Sequence, residues 1–305
     1  MALLFLFLDG VGLGEENPHV NPLVAAPMPT LRALLDGHVP TLAHPHIQTP
    51  RAHAFATDAL LGVPGTPQSA TGQATILTGK NVPALLREHY GPRPDARIRP
   101  LLEEDTLFHA LRRKGHGIAF ANAYPDRYFA RMNRGHRVPG AMPYAARAAG
   151  IPLRTREDLA RGRAISVDFT NEGWRDMLGD EDIPLRTPEE SGAIVARLMD
   201  KHDLVFIDQW VPDMLGHRGD WEGALRFLAH LDRFLQGVLE HVDLARDTIF
   251  ITSDHGNLED MRVTRHTRNP VLTVVIGRGA HDPRLPLERL DMLRGWVESL
   301  IDAGQ

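Results

Sequence analysis

The chain has 305 residues, a formal net charge of −5 at pH 7 and 43% hydrophobic residues, enough apolar material for one large α/β domain or two modest ones. That balance, with no basic run longer than Arg112-Arg113-Lys114, provides no field for nucleic acid or an anionic membrane surface, so neither is an expected partner. The absence of cysteine excludes a disulfide framework and thiolate metal sites, leaving His, Asp, Glu and hydroxyl oxygens as metal ligands.

The opening MALLFLFLDG contains the first strand, Leu3 to Leu8. It lacks the basic region and cleavage site of a signal peptide. No other segment approaches the roughly 18 apolar residues of a spanning helix, so a cytoplasmic protein is expected. GTPQSATGQATILTGK, residues 65–80, resembles a phosphate loop, but six residues separate Gly72 from Gly79 and Asn81 follows Lys80. That spacing does not fit a P-loop, and the residues from Ser69 onward read as the first turns of a helix.

A helix begins near Asp105, places Leu107, Phe108 and Leu111 on one face and stops at Gly115; the strand Gly117 to Asn122 follows. From residue 123 to 187 the pattern weakens, with a short helix expected around Pro143 to Ala149, and this segment is the expected place of a small cap. Thr187, Pro188 and Glu190 form the start signal of the next helix, which leads to the strand Leu204 to Ile207. Leu225, Leu228, Leu231, Leu235 and Val238 recur at helical spacing in a long helix from Asp220 to about His241. Strands at Thr248 to Thr252 and Val271 to Ile276 and a helix near Leu287 to Ile301 complete the chain. A βα alternation throughout predicts a single domain over 1–305: a doubly wound, mostly parallel α/β sheet with helices on both faces.

In such sheets ligands bind beyond the carboxyl ends of the strands. Asp9 ends the first strand, Asp213 and His217 follow the third, Asp254 and His255 follow the fourth, and His266 precedes the fifth. Alone, each Asp reads as a cap and each His as an ordinary surface or core residue. Six at one edge are a ligand set. Mixed carboxylate and imidazole ligands suit Mn²⁺ or Zn²⁺ better than Mg²⁺, and six suffice for two ions about 3.5–4 Å apart, the arrangement that clamps both oxygens of an in-line phosphoryl displacement. A hydroxyl beside a divalent cation at a helix N-terminus is an activated nucleophile, and Ser69 and Thr71 both meet that description.

DGVG, SATGQATILTG, VPDMLGH, TSDHGNLEDM and HTRNPVL resemble, in order, the motifs of the alkaline phosphatase superfamily. The resemblance is closest to its branch containing cofactor-independent phosphoglycerate mutase and phosphopentomutase, and it covers roughly the first 80 and last hundred residues. It implies that Asp9, Ser69, Asp254 and His255 hold one metal and Asp213, His217 and His266 the other, and aligning back from ILTG puts Ser69 on the nucleophile. Asn122, Arg265 and Arg268 are weaker candidates for contacting phosphate. Two departures stand out: Lys80 to Asp203 leaves no room for the mutase's large inserted domain, and Gln73 stands where the mutase has a histidine.

The expected activity is therefore two-metal-dependent phosphoryl transfer on a small phosphorylated substrate, with hydrolysis through a phosphoserine as the default because a reduced cap excludes water poorly. A phosphomutase acting on a phosphoglycerate or sugar phosphate, a phosphodiesterase or phosphonate hydrolase, and a non-catalytic metal-binding relative are the alternatives. Specificity is expected in Arg87 to Arg99 and in 123–187, where Arg127, Arg131 and Arg134 are available to an anionic substrate.

Overall fold

Strand β1, Leu3–Leu8, is buried along its whole length in a computed structural model that describes residues 1–134 and 138–304. Leu4, Leu6 and Leu8 enter one apolar cluster and Leu3, Phe5 and Phe7 another. Alternate side chains of a strand leave by opposite faces, so a strand covered on both sides must be apolar throughout. The helices Pro188–Met199 and Trp221–Leu239 pack on each other over the first face. Ser69–Thr78, Leu107–Arg113, Ala141–Ala148 and Leu293–Asp302 cover the second. Among the described residues no helix is long and apolar enough to cross a membrane.

The other strands are β2 (Ile47–Gln48), β3 (Ala52–Thr57), β4 (Ile118–Phe120), β5 (Leu204–Gln209), β6 (Thr248–Thr252) and β7 (Val271–Gly277), in the spatial order β2-β3-β7-β6-β1-β5-β4. The four strands β6, β1, β5 and β4 are parallel, with Phe5 opposite Phe206 on one side and Phe250 on the other. The rest departs from an unbroken βα alternation. No helix separates β6 from β7, which runs antiparallel to it, and β3 and β2 add further antiparallel pairings.

Local signals are realised where they are strong. Thr187 accepts the Glu190 N–H while Glu190 caps the Thr187 N–H, with Pro188 in the first turn; Asp220 caps the long helix by accepting from the Gly223 N–H. The last helix starts at Leu293, later than the apolar pattern from Leu287 suggests, because Leu290–Met292 forms a 3₁₀ turn instead.

Segment 123–187 divides in two. Ala141–Ala148 packs against the Ser69 helix and gives Met142, Ala145 and Ala146 to the main core. Beyond it Ala123, Leu159, Ala164, Trp174 and Ile183 form a small cluster of their own. Within the run RMNRGHRVPG, residues 135–137 lie outside the described residues.

Candidate active site

Because β7 is antiparallel to β6, its beginning lies at the same edge as the ends of β1, β5 and β6. This is how His266, which comes before its strand, reaches residues that come after theirs. His266 Nε2 lies 3.3 Å from Asp213 Oδ1 and 3.1 Å from His217 Nε2, and its ring stacks on that of His255 with centroids 3.7 Å apart. Ligand atoms of Asp213, His217 and His266 fall within 4.8 Å of one another, as do those of Asp9, Asp213 and His255. Asp213 thus borders both groups.

Two of the imidazoles are oriented by backbone carbonyls. His266 Nδ1 meets the Pro67 carbonyl and His217 Nδ1 the Thr264 carbonyl, each at 2.9 Å. A carbonyl only accepts, so each Nδ1 carries the proton and each Nε2 presents a lone pair. Two lone pairs at this separation repel unless a proton or cation lies between them. On the other side, Ser69 Oγ is 3.0 Å from His255 Nε2, which lies 3.1 Å from Asp9 Oδ1 and 3.6 Å from Asp254 Oδ2. Asp9 Oδ1 is buried without a hydrogen bond. A buried, underbonded carboxylate oxygen beside imidazole nitrogens fits a divalent cation.

The electrostatics agree. Burial and the neighbouring Asp254 charge push the Asp9 carboxyl well above its ordinary value, and burial raises Asp254. Burial alone would lower the His255 imidazole, but Asp254, Asp9 and Asp213 outweigh it and push it up to about 10. Burial also opposes ionisation of Asp213, yet His266, His255 and Asn257 hold it down to about 2. Three carboxylates crowded out of water favour positive charge among them.

A surrounding set of residues holds these side chains in place. Gln73 Nε2 donates to both Asp9 Oδ2 and Asp254 Oδ2 at 3.1 Å. Asn257 Nδ2 donates to Asp213 Oδ1 at 2.7 Å. Glu259, fully buried, accepts from the backbone N–H of Gly12 at 3.0 Å and of Asn257 at 2.8 Å, from Asn269 Nδ2 at 3.1 Å and from the Thr267 hydroxyl. One carboxylate thereby ties together the loops that carry Asp9, His255 and His266. A Cβ on Gly12 or Gly256 would come within 2.5 or 2.3 Å of Glu259 Oε1, so both loops need glycine there. Sequence reasoning misses Glu259, which reads as one charge in a polar loop.

Of the two hydroxyl candidates, Ser69 opens the helix Ser69–Thr78 and lines the cleft. The Thr71 hydroxyl is buried against backbone, donating to the carbonyls of Gln68 at 3.1 Å and Tyr90 at 3.3 Å. The cleft, about 490 Å³, is lined by Asp9, Ser69, Gln73, Asp208, Asp213 and His217, with Arg93 and Arg218 among its walls. Arg265 and Arg268 do not line it: both are exposed, and Arg268 Nη1 donates to the Gly65 carbonyl at 2.7 Å. Asn122 is also turned to another task. Its amide oxygen accepts the Asp208 N–H at 2.7 Å and its amide nitrogen donates to the Asp208 carbonyl at 3.0 Å, which leaves the Asp208 side chain facing the cleft. Burial, reinforced by Asp254, pushes that carboxyl up to about 7. Asp208 hides at the end of the strand sequence LVFID, where it reads as a turn former.

Residues 187–294 match the Metalloenzyme superfamily. Curated relatives include the 2,3-bisphosphoglycerate-independent phosphoglycerate mutases of Roseobacter denitrificans, 34% identical over 100 residues (30% of this chain, 20% of that one), and of Mycoplasmoides gallisepticum, 36% identical over 119 residues (35% and 24%). The matches therefore span less than a quarter of those enzymes. Over almost its full length the chain is similar in structure to the PH0037 protein from Pyrococcus horikoshii, with TM-score 0.60, 16% identity and coverage of 99% of this chain and 96% of that one. For alkaline phosphatase from the Antarctic bacterium TAB5 the values are 0.53, 9%, 99% and 97%. The fold is like that of these two structures, and residues 187–294 carry the match to the Metalloenzyme superfamily. The segment shared with the curated relatives is similar to 2,3-bisphosphoglycerate-independent phosphoglycerate mutase.

Proposed function

We infer that the protein is a two-metal-dependent phosphoryl-transfer enzyme that hydrolyses a phosphate ester of a small molecule through a phosphoserine at Ser69. The observation that carries this reading is the position of Ser69 Oγ, at the first residue of a buried ten-residue helix and 3.0 Å from His255 Nε2. Asp9, Ser69, Asp254 and His255 would hold one divalent ion, and Asp213, His217 and His266 the other. Bound there, Mn²⁺ or Zn²⁺ supplies the positive charge that lowers the serine pKa and offsets charge gathering on the phosphoryl oxygens.

Ser69 Oγ gives its proton to water in the open cleft and attacks phosphorus, an O–P bond forms, and the ester O–P bond breaks as the alcohol departs. The positive end of the Ser69 helix faces the added charge, while Arg93 and Arg218 in the cleft wall are placed to meet phosphoryl oxygens. Asp208, which lines the cleft with its carboxyl pushed up to about 7 by burial, would give the departing oxygen its proton. Attack of water on the phosphoserine then releases phosphate and restores the Ser69 hydroxyl.

A phosphomutase is the second reading, favoured by one observation: the relatives matched at the C-terminal motifs are mutases. Its final step replaces water by a hydroxyl of the retained product. Protein stripped of metal and reloaded with Mn²⁺ or Zn²⁺ should release nitrophenol from p-nitrophenyl phosphate, with weaker release from bis-p-nitrophenyl phosphate. The reverse preference would indicate a diesterase. Failure on both, with two metals bound, would refute the hydrolase and direct assays to sugar phosphates and phosphoglycerates.

A further inference from the structure

Tyr124, Tyr128 and Trp210 belong to the lining of the cleft. The same three side chains also line a second chamber of about 470 Å³ whose far wall includes Trp174, Met177 and Leu178. Tyr124 and Tyr128 stack with ring centroids 4.4 Å apart at 27°, forming a flat ledge between the two spaces. Burial, with Asp208 and Tyr128 nearby, holds the Tyr124 phenol well above its ordinary pKa, so the ledge stays uncharged. Met177 is 77% exposed and Trp210 44% exposed, an arrangement that leaves large apolar groups in water at the borders of the chamber. Aromatic walls with a few polar groups are the usual construction of a small-molecule site.

The chamber also carries positive charge. Arg127 and Arg131 lie four residues apart on the helix Asp126–Asn133, hence on one face of it, and both line the chamber. Neither makes an ion pair among the described residues, whereas Arg156 and Arg163 in the same segment are paired with Asp180 and Asp158. The one carboxylate in the lining, Asp168, is committed to the backbone N–H groups of Asn171 and Gly173 and to the Ser166 hydroxyl.

We propose that this chamber receives the alcohol half of the phosphate ester, and that the substrate class is a phosphate monoester of a planar, apolar alcohol bearing a second anionic group. The planar body stacks on the tyrosine ledge and the tryptophans, and the distal anion meets Arg127 and Arg131. The inference rests on the phosphoryl-transfer reading for its description of the ligand as a substrate. Glycerate has no flat apolar face to present to these walls.

The test uses the full chain and two readouts. One is the ratio of kcat/KM for 6-carboxy-2-naphthyl phosphate to that for p-nitrophenyl phosphate. The other is binding of the dephosphorylated product, 6-hydroxy-2-naphthoate, followed by quenching of tryptophan fluorescence. Arg127→Gln/Arg131→Gln and Met177→Glu alter exposed positions and should each weaken naphthoate binding about ten-fold or more and lower the ratio to match. No naphthoate binding by the native protein, or binding that both variants leave intact, would overturn the chamber. Naphthoate binding that the variants abolish, together with no hydrolysis of either ester, would uphold the chamber as an aromatic-anion site and remove the phosphoryl-transfer reading instead.

Discussion

Gln73 Nε2 and Asp254 Oδ2 are joined by a buried hydrogen bond of 3.1 Å, and the same nitrogen reaches Asp9 Oδ2 at the same distance. The amide therefore acts as a brace between two carboxylates that repel each other. A histidine at this place, as the resemblance to phosphoglycerate mutase would have it, can carry positive charge or accept a phosphoryl proton. A glutamine can do neither. It neutralises nothing, so the two acids remain dependent on a cation. Gln73→Ala should lower divalent-metal affinity by roughly 10–100-fold, the usual effect of removing a partner that orients a ligand. Its melting temperature should fall more without metal than with it. Titration calorimetry with Mn²⁺ checks the first, paired thermal melts the second. An unchanged affinity would make the brace incidental.

Asp208 is one contributor to the pH behaviour of the metal-free protein, beside Asp9, Asp254, His255 and Asp213. Its folded pKa, raised from 3.8 to about 7, means that the folded state holds a proton which the unfolded chain releases. Stability from this group is complete below about pH 4 and is lost as pH rises to about 7. Asp208→Asn should flatten that decline and stabilise the metal-free protein at pH 8, by at most about 4 kcal/mol for a shift of this size. Denaturant melts across pH 4–8 make the measurement. The same variant should lose turnover most on esters of poor leaving groups, where a proton is needed. Equal losses on p-nitrophenyl and alkyl phosphates would remove Asp208 from that role.

The parallel core was legible because burial on both faces leaves unbroken apolar runs, and the polar residues that end those runs stand out against them. β3 was not legible. Its sequence AHAFAT owes its burial to neighbours in the sheet, with Phe55 as its one large apolar side chain. The direction of β7 was equally hidden, since an apolar run carries no sign of whether its neighbour is parallel, yet that direction is what brings His266 to the site. Asp208 and Glu259 escape notice for opposite reasons. Asp208 closes an apolar run as any turn former would, and Glu259 lies in a polar loop whose burial arises only when three distant loops close on it.

Glu259 is the point at which those loops stand or fall together. Removing its charge should weaken four hydrogen bonds at once, to Gly12, Asn257, Thr267 and Asn269. Glu259→Gln keeps the shape but turns one accepting oxygen into a donor, which sets an N–H against N–H groups that already donate. A loss of about 2–4 kcal/mol is expected, the range for buried, charge-assisted networks left partly unsatisfied. Thr267→Val removes the donor to Glu259 and the acceptor of the Asn269 N–H, and should cost about 1–2 kcal/mol. If Glu259→Gln melts within a degree of the native protein, the clamp has no mechanical role.

His217 separates the two proposed ions. It contacts Asp213 and His266, with Nε2 at 3.4 Å and 3.1 Å, but it is exposed and stands outside the buried group of Asp9, Asp213 and His255. His217→Ala therefore subtracts a ligand from one ion while the other keeps its own set. Metal analysis after dialysis against low Mn²⁺ or Zn²⁺ should show a stoichiometry falling from two per chain toward one, with the folded structure retained. His255→Ala touches the opposite group and should be harsher, because it leaves Asp9 and Asp254 buried without their imidazole partner. Protons compete for the same lone pairs, so occupancy of both ions should fall as the medium is acidified. A native stoichiometry of one, unchanged by His217→Ala, would reduce the centre to a single ion and with it the two-metal mechanism.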